Sequence, residues 1–210
     1  MASLPITTSD GIEPVWDIAT LYPSQGDWSE EDYLALTDST NRLIEFTDGR
    51  LEFLEMPTEI HQFILLFLMD RLRQYVEPSD LGTVMFSGLR VRIRPNKIRE
   101  PDLAFIAKKN YERRSNRYWS GADLVMEIVS SGSASRERDH RQKVIDYLEA
   151  GIPEYWIVDP ERSEIIVMTL APGGDAYVQH CVAHPGDLAS SVILAGFAVD
   201  VAAVFAAAKR

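Results

Sequence analysis

Residues 124–129, Leu-Val-Met-Glu-Ile-Val, constrain this chain more than any other stretch. A nearly continuous apolar run, broken only by Glu127, reads as a central strand buried on both faces. A helix follows from about Arg136 to Ala150, closed by Gly151 at its C′ position and by Pro153. Tyr155–Val158 is a further apolar strand. Strand, helix and strand make a β-α-β unit, which implies a right-handed crossover and parallel neighbours.

The rest of the chain surrounds that unit. Trp28–Leu36 reads as a short helix after Asp27, a fair N-cap. Leu43–Phe46 and Leu51–Met56 flank Thr47-Asp48-Gly49-Arg50, and Asp-Gly between apolar runs signals a hairpin. Thr58–Val76 carries apolar residues at spacings of three and four and is a long helix stopped by Pro78. Strands are expected at Thr83–Phe86, Arg90–Ile93 and, entered through Pro101, at Asp102–Ile106. Residues 107–120 form a basic loop or short helix. Glu164–Leu170 pairs back on Tyr155–Val158 as a hairpin; Tyr177–Val182, a short strand near Val192 and an apolar helix from Asp200 complete the order. The expected fold class is α/β, a mixed β-sheet flanked by helices. Residues 1–26 read as a loose lead-in and 27–210 as a single domain.

Of 210 residues, 46% are hydrophobic and 25% charged, which is a globular balance and excludes a disordered chain. The single cysteine, Cys181, excludes a disulfide framework and a multi-cysteine zinc site. No transmembrane run of about 18 apolar residues occurs, and Met1-Ala-Ser-Leu-Pro lacks the basic start of a signal peptide. A cytoplasmic protein without membrane contact is the expectation. The net charge of −11 argues against a nonspecific nucleic-acid coat. Its distribution is uneven. Between Arg90 and Arg117, ten basic residues face three acidic ones, so this stretch carries +7 and the remainder −18. Arg136, Arg138, Arg141 and Lys143 form a second basic cluster. Such a run is either a local polyanion-binding face or a solvated strand edge.

The chemistry centres on Glu127. A carboxylate inside an apolar strand is costly to bury unless it is paired or bound to a metal. Asp102 opens the preceding strand. If the two strands are neighbours, both acids converge, and two or three carboxylate oxygens with water suit Mg²⁺. Asp139, Lys143 and Tyr147 share one helix face at i, i+4 and i+8, a face that can bring an ammonium to the same point. Each residue also has an ordinary reading. Asp102 could cap a turn, Asp139–Lys143 could be a surface ion pair, and Glu127 could pair with an arginine in a structural network. There is no P-loop and no Gly-x-Ser-x-Gly elbow. His180 and His184 lie about 13 Å apart along an extended strand, a poor zinc site.

Pro101-Asp102, Glu127-Ile-Val and the nearby lysine resemble the PD-(D/E)XK nuclease superfamily. More narrowly, the chain resembles the Uma-type restriction endonucleases of bacteria over residues 28–205. The residues carrying this are Arg42–Leu51 (RLIEFTDGRL), His61, Pro101-Asp102-Leu103, Leu124–Ser130, Asp139 with Lys143 and Tyr147, and Gly151–Asp159 (GIPEYWIVD). The superfamily's usual lysine, two residues after the glutamate, is Val129 here, and Lys143 on the next helix takes its place. The Ser-Pro pair usual after the strand is replaced by Ser130-Ser131-Gly132.

The resemblance implies a restriction-endonuclease-like fold and Mg²⁺- or Mn²⁺-dependent hydrolysis of phosphodiester bonds in nucleic acid, DNA above all, by a homodimer. Asp102, Glu127 and the Ile128 carbonyl would bind the metal, and Lys143 would orient water or stabilise the transition state. Glu45 is a candidate accessory acid, with a surface role as its alternative. His61 is a phosphate donor or a helix-start residue packed on the hairpin. Arg90, Arg92, Arg94, Arg99, Arg113, Arg114 and Arg117 would contact phosphates. The alternative function is an inactive nucleic-acid-binding or protein-interaction module on the same fold.

Overall fold

Alternation along the central strand organises the molecule. The computed structural model describes residues 21–130 and 138–208. In chain order the elements are α1 (Glu30–Asp38), β1 (Ile44–Thr47), β2 (Arg50–Phe53), α2 (Glu59–Val76), β3 (Gly82–Phe86), β4 (Val91–Arg94), β5 (Lys97–Arg99) and β6 (Leu103–Ala107). They continue with β7 (Leu124–Ile128), α3 (Lys143–Glu149), β8 (Glu154–Asp159), β9 (Glu164–Leu170), β10 (Tyr177–Ala183), β11 (Leu188–Ser190), β12 (Ala198–Asp200) and α4 (Val201–Ala207).

Six strands form the main sheet in the order β10-β9-β8-β7-β6-β3. Only β7 and β8 run parallel, joined through α3 as the β-α-β reading requires. The other four pairings are antiparallel, so the sheet is mixed and carries helices, as expected. Leu124, Met126 and Ile128 point to one face, where they pack with Ile64, Leu68 and Leu72 of α2 and Val204 of α4. Val125 and the following Val129 point to the other, with Tyr147 of α3 and Val91 and Ile93 of β4. A second sheet, β2-β1-β5-β4, lies on that side.

Local chemistry explains the element ends. Ser29 caps α1 with a full capping box, two residues beyond the expected Asp27. Thr58 caps α2 by accepting from the His61 amide. The β1–β2 turn needs positive φ at both central residues, and Asp48 (+46°) and Gly49 (+83°) supply it. Gly151 leaves α3 at φ +64°, as a C′ residue should.

Three expectations are corrected. β5 is a strand that its charges concealed, because Lys97 and Arg99 are buried rather than solvated. No strand forms at Val192, since the Val192 and Ile193 amides donate to buried Glu154 Oε2 at 2.7 and 3.1 Å; the strands fall on either side, at β11 and β12. The described part of the crossover helix is α-helical only from Lys143, after a π-helical turn at Arg138–Gln142. The residues after Ser130, Arg136 and the side chains of Arg138 and Asp139 lie outside the described residues, as does most of the 1–26 lead-in. Among the described residues no helix is long and apolar enough to cross a membrane.

A side chain at Gly49 would place its Cβ 2.3 Å from the Gly26 carbonyl oxygen, besides adopting a left-handed φ. Gly49→Ala is expected to cost more than about 1 kcal/mol, read as a lower urea midpoint; an unchanged midpoint would show that the turn tolerates a side chain.

Candidate active site

β6 and β7 are neighbours, and their register pairs Leu103 with Met126. One step further along, that register sets Asp102 opposite Glu127, on the same face of the sheet. Asp102 is tied down twice. Its Oδ2 accepts from the Ile128 amide at 2.8 Å and lies 3.1 Å from His61 Nε2. A carboxylate acceptor places the imidazole proton on Nε2, and Nδ1 is then buried without a partner. Asp102 Oδ1 makes no hydrogen bond among the described residues.

Glu127 is 3% exposed, and α3 supplies its partners. Lys143 Nζ lies 2.8 Å from Oε2, and the Tyr147 hydroxyl donates to Oε1. The i, i+4 spacing of Lys143 and Tyr147 is what lets one short helix hold both oxygens. Burial, reinforced by the charge of Glu127, pushes the Tyr147 phenol well up, so it remains a donor. Lys143 is also 3.8 Å from Glu45 Oε1. Glu45 is fully buried on β1, accepts from the Glu100 amide at 3.2 Å, and keeps Oε2 without a hydrogen bond.

Beneath this group lies a buried clamp. Asp146, one turn after Lys143, is fully buried. It receives Lys97 Nζ, Arg99 Nε and Arg99 Nη2, each at 2.7 Å. Burial opposes its charge, but Arg99 and Lys97 outweigh that and hold its carboxyl below the ordinary range. The clamp fixes α3 to β5 and so sets where Lys143 begins.

Glu100, Asp102, Glu127, Lys143, His61 and the Ile128 backbone line one cleft with about 490 Å³ of empty space. Burial, then the negative charge of Glu45, pushes the Glu100 carboxyl up to about 7, and its Oε2 has no hydrogen-bond partner. Glu100 escaped the sequence reading, although its position two residues before Asp102 was a visible signal. His61 reaches Asp102 instead of packing only on the hairpin.

The basic run is largely paired with acids. Arg90 pairs with Asp38 at 2.8 Å, Arg92 with Glu30 at 3.1 Å, and Arg94 with Asp48 and Glu149 at 2.8 and 2.9 Å. Arg117 pairs with Glu31 and Asp38. Arg99, 4% exposed, has no path to solvent phosphate. Arg113 has only its neighbour Glu112 at 3.9 Å, and Arg114 has no carboxylate partner among the described residues. Of the seven arginines, Arg99 is thus buried, and Arg113 and Arg114 are the two without a close carboxylate among the described residues.

A family model spans residues 30–202, from α1 into α4. The chain belongs to the Uma2 family. That family is described as "Putative restriction endonuclease". The Uma2 chain is also similar to a solved structure from Anabaena variabilis, described as "a putative nuclease belonging to DUF820". The two share 17% identity with a TM-score of 0.64, over 79% of this chain and 90% of the other, which is a likeness of fold. No curated protein matches the chain.

Two outcomes follow from the electrostatics. Breaking one side of a buried pair leaves an uncompensated charge, so Arg99→Met is expected to cost about 3–5 kcal/mol. Exposed Arg117→Met should cost no more than about 1 kcal/mol; chemical denaturation of both variants makes the comparison, and equal small losses would show the clamp to be idle. For Glu100, a folded pKa above the unfolded one means the native state binds more protons. In metal-free protein its contribution is therefore present below about pH 4.5 and lost as pH rises toward 7. Glu100→Gln should be the more stable protein at pH 8, by up to about 3 kcal/mol. A pH series in which wild type and variant run parallel would exclude this.

Proposed function

We propose that the protein is a metal-dependent endonuclease that hydrolyses phosphodiester bonds of nucleic acid, DNA above all, with residues 27–210 acting as one catalytic unit. The observation that carries the reading is the convergence of Asp102, Glu127 and Lys143 on one cleft. Membership of the Uma2 family supports it.

The donor set suits a hard cation. Asp102 keeps an oxygen outside its hydrogen bonds among the described residues, Glu127 lies 2.8 Å from the Lys143 ammonium, and Glu100 has a buried oxygen without a donor among the described residues. No group of three His, Cys, Asp or Glu side chains forms a ready cage among the described residues. That fits Mg²⁺, which is commonly bound through one or two carboxylates and completed by water and substrate phosphate. Asp102, Glu127 and the Ile128 carbonyl would hold Mg²⁺ or Mn²⁺. When bound, such an ion lowers the pKa of water and offsets charge on the phosphate.

The chain's own residues do the rest. The Ile128 amide and His61 fix the rotamer of Asp102. Lys143 orients Glu127 and presents a cation where negative charge grows in the transition state. Glu45 lies behind Lys143, with Oε1 3.8 Å from the ammonium. Its role is that of a buried positioning acid. Tyr147 holds the second oxygen of Glu127, so neither carboxylate has to reorganise as the substrate arrives.

Cleavage of plasmid and single-stranded DNA in Mg²⁺ or Mn²⁺ tests this. Asp102→Ala and Glu127→Ala should each lower the rate at least about 100-fold. Lys143→Met should do so with little change in metal binding. Mn²⁺ should raise the melting temperature of wild type and not of Glu127→Ala. Equal cleavage by wild type and the acid variants would assign the activity to a contaminant. DNA binding without any cleavage would instead favour the inactive module. The homodimer expected for such a nuclease is checked by light scattering of the free protein.

A further inference from the structure

Of the ten basic residues from Arg90 to Arg117, eight face a carboxylate, and Lys109 makes no side-chain hydrogen bond or ion pair among the described residues. Arg114 is different. Its guanidinium sits over Tyr111 at 4.4 Å and lies 5.8 Å from the Trp119 ring, and its Nη1 donates to Thr83 Oγ1 at 3.1 Å. The Thr83 hydroxyl in turn lies 2.7 Å from the Tyr111 hydroxyl. Two rings and a hydroxyl hold the planar group in place while no acid among the described residues pairs with its charge. Aromatic faces attract a cation without neutralising it, and a fixed guanidinium loses little entropy when it takes up a phosphate.

The surroundings fit a ligand. Arg114 lines a depression of about 790 Å³ with Met85, Leu89, Asn116 and Trp119. Among the described residues no aspartate or glutamate lines it. The depression and the catalytic cleft draw on the same stretch of chain. Ser87 lines the cleft, while Met85 and Leu89, two residues to either side, line the depression.

Resting on the nuclease reading above, we infer that the Arg114 depression is a docking subsite for the nucleic-acid strand flanking the scissile phosphate. Arg114 takes a backbone phosphate of that strand, and the Met85–Leu89 segment carries the strand between the depression and the cleft. The chain's net charge of −11 makes such a contact count. With most other arginines of the run already paired with acids, binding has few phosphate contacts and a shallow salt dependence, about −0.9 in log–log slope for each.

The test is fluorescence anisotropy with a labelled oligonucleotide, single-stranded and as duplex, in EDTA across a salt series. Arg114→Ala should weaken binding about tenfold at low salt and reduce the slope by about 0.9. Arg114→Lys should restore the slope and part of the affinity. Arg117→Ala, whose arginine is already paired with acids, should change affinity less than about twofold. Asn116→Glu puts an anion in the depression without touching the Arg114 scaffold and should weaken binding at least as much as Arg114→Ala. An unchanged slope in Arg114→Ala, an unaffected Asn116→Glu, or a wild type that binds no oligonucleotide each overturns the inference. Because no metal is present, the result does not depend on the chemistry. Binding of the expected slope by a protein that cleaves nothing with any metal removes the nuclease reading alone, and cleavage by wild type with Arg114→Ala binding normally removes the docking subsite alone.

Discussion

The ion pair between Glu127 and Lys143 is the constraint around which this molecule is arranged. A carboxylate in the middle of a strand that is apolar on both faces carries a desolvation cost of several kcal/mol. The cost is met by an ammonium at 2.8 Å and a phenol on the same oxygen pair, both from one helix. That helix can deliver them only if its first turn is held in register over the end of β7. Asp146, gripped by Lys97 and Arg99, supplies the hold. A burial problem on one strand is thus solved by a second buried charge cluster one helical turn away.

The same arrangement explains why acids gather in the cleft. Glu45, Glu100, Asp102 and Glu127 bring four carboxyls close to two buried cations, Lys143 and Arg99. Glu100 responds by holding its proton to about pH 7. A site with surplus negative charge and oxygen atoms lacking donors is stable chiefly as a host for cations or protons, and that surplus is the physical content of the proposed chemistry.

The distribution of arginines carries a second lesson. Counted along the chain, residues 90–117 look like a polyanion-binding face. Folded, Arg92 and Arg94 on β4 reach Glu30 and Asp48, and Arg90 and Arg117 reach acids on α1. The acids paired with Arg90, Arg92, Arg94, Lys97, Arg99 and Arg117 lie roughly 45 to 90 residues away, upstream on α1 and the hairpin or downstream on α3, so no local charge count could have found them. A strand with alternating arginines need not face water when an acidic helix packs across it.

The central strand, the crossover helix with its Gly151 exit, the Asp48-Gly49 hairpin and the convergence of Asp102 with Glu127 were legible in the chain, because hydrophobic period, turn chemistry and a misplaced carboxylate are local signals. Lys143 was legible too, from its helix face shared with Tyr147. β5, the true partners of the arginines, Glu100 as a cleft acid and Glu154 as the organiser of residues 192–193 were not. Each depends on which distant group lies opposite in space. A charge buried by a long-range partner and a charge exposed to solvent are written with the same residue, and only packing tells them apart.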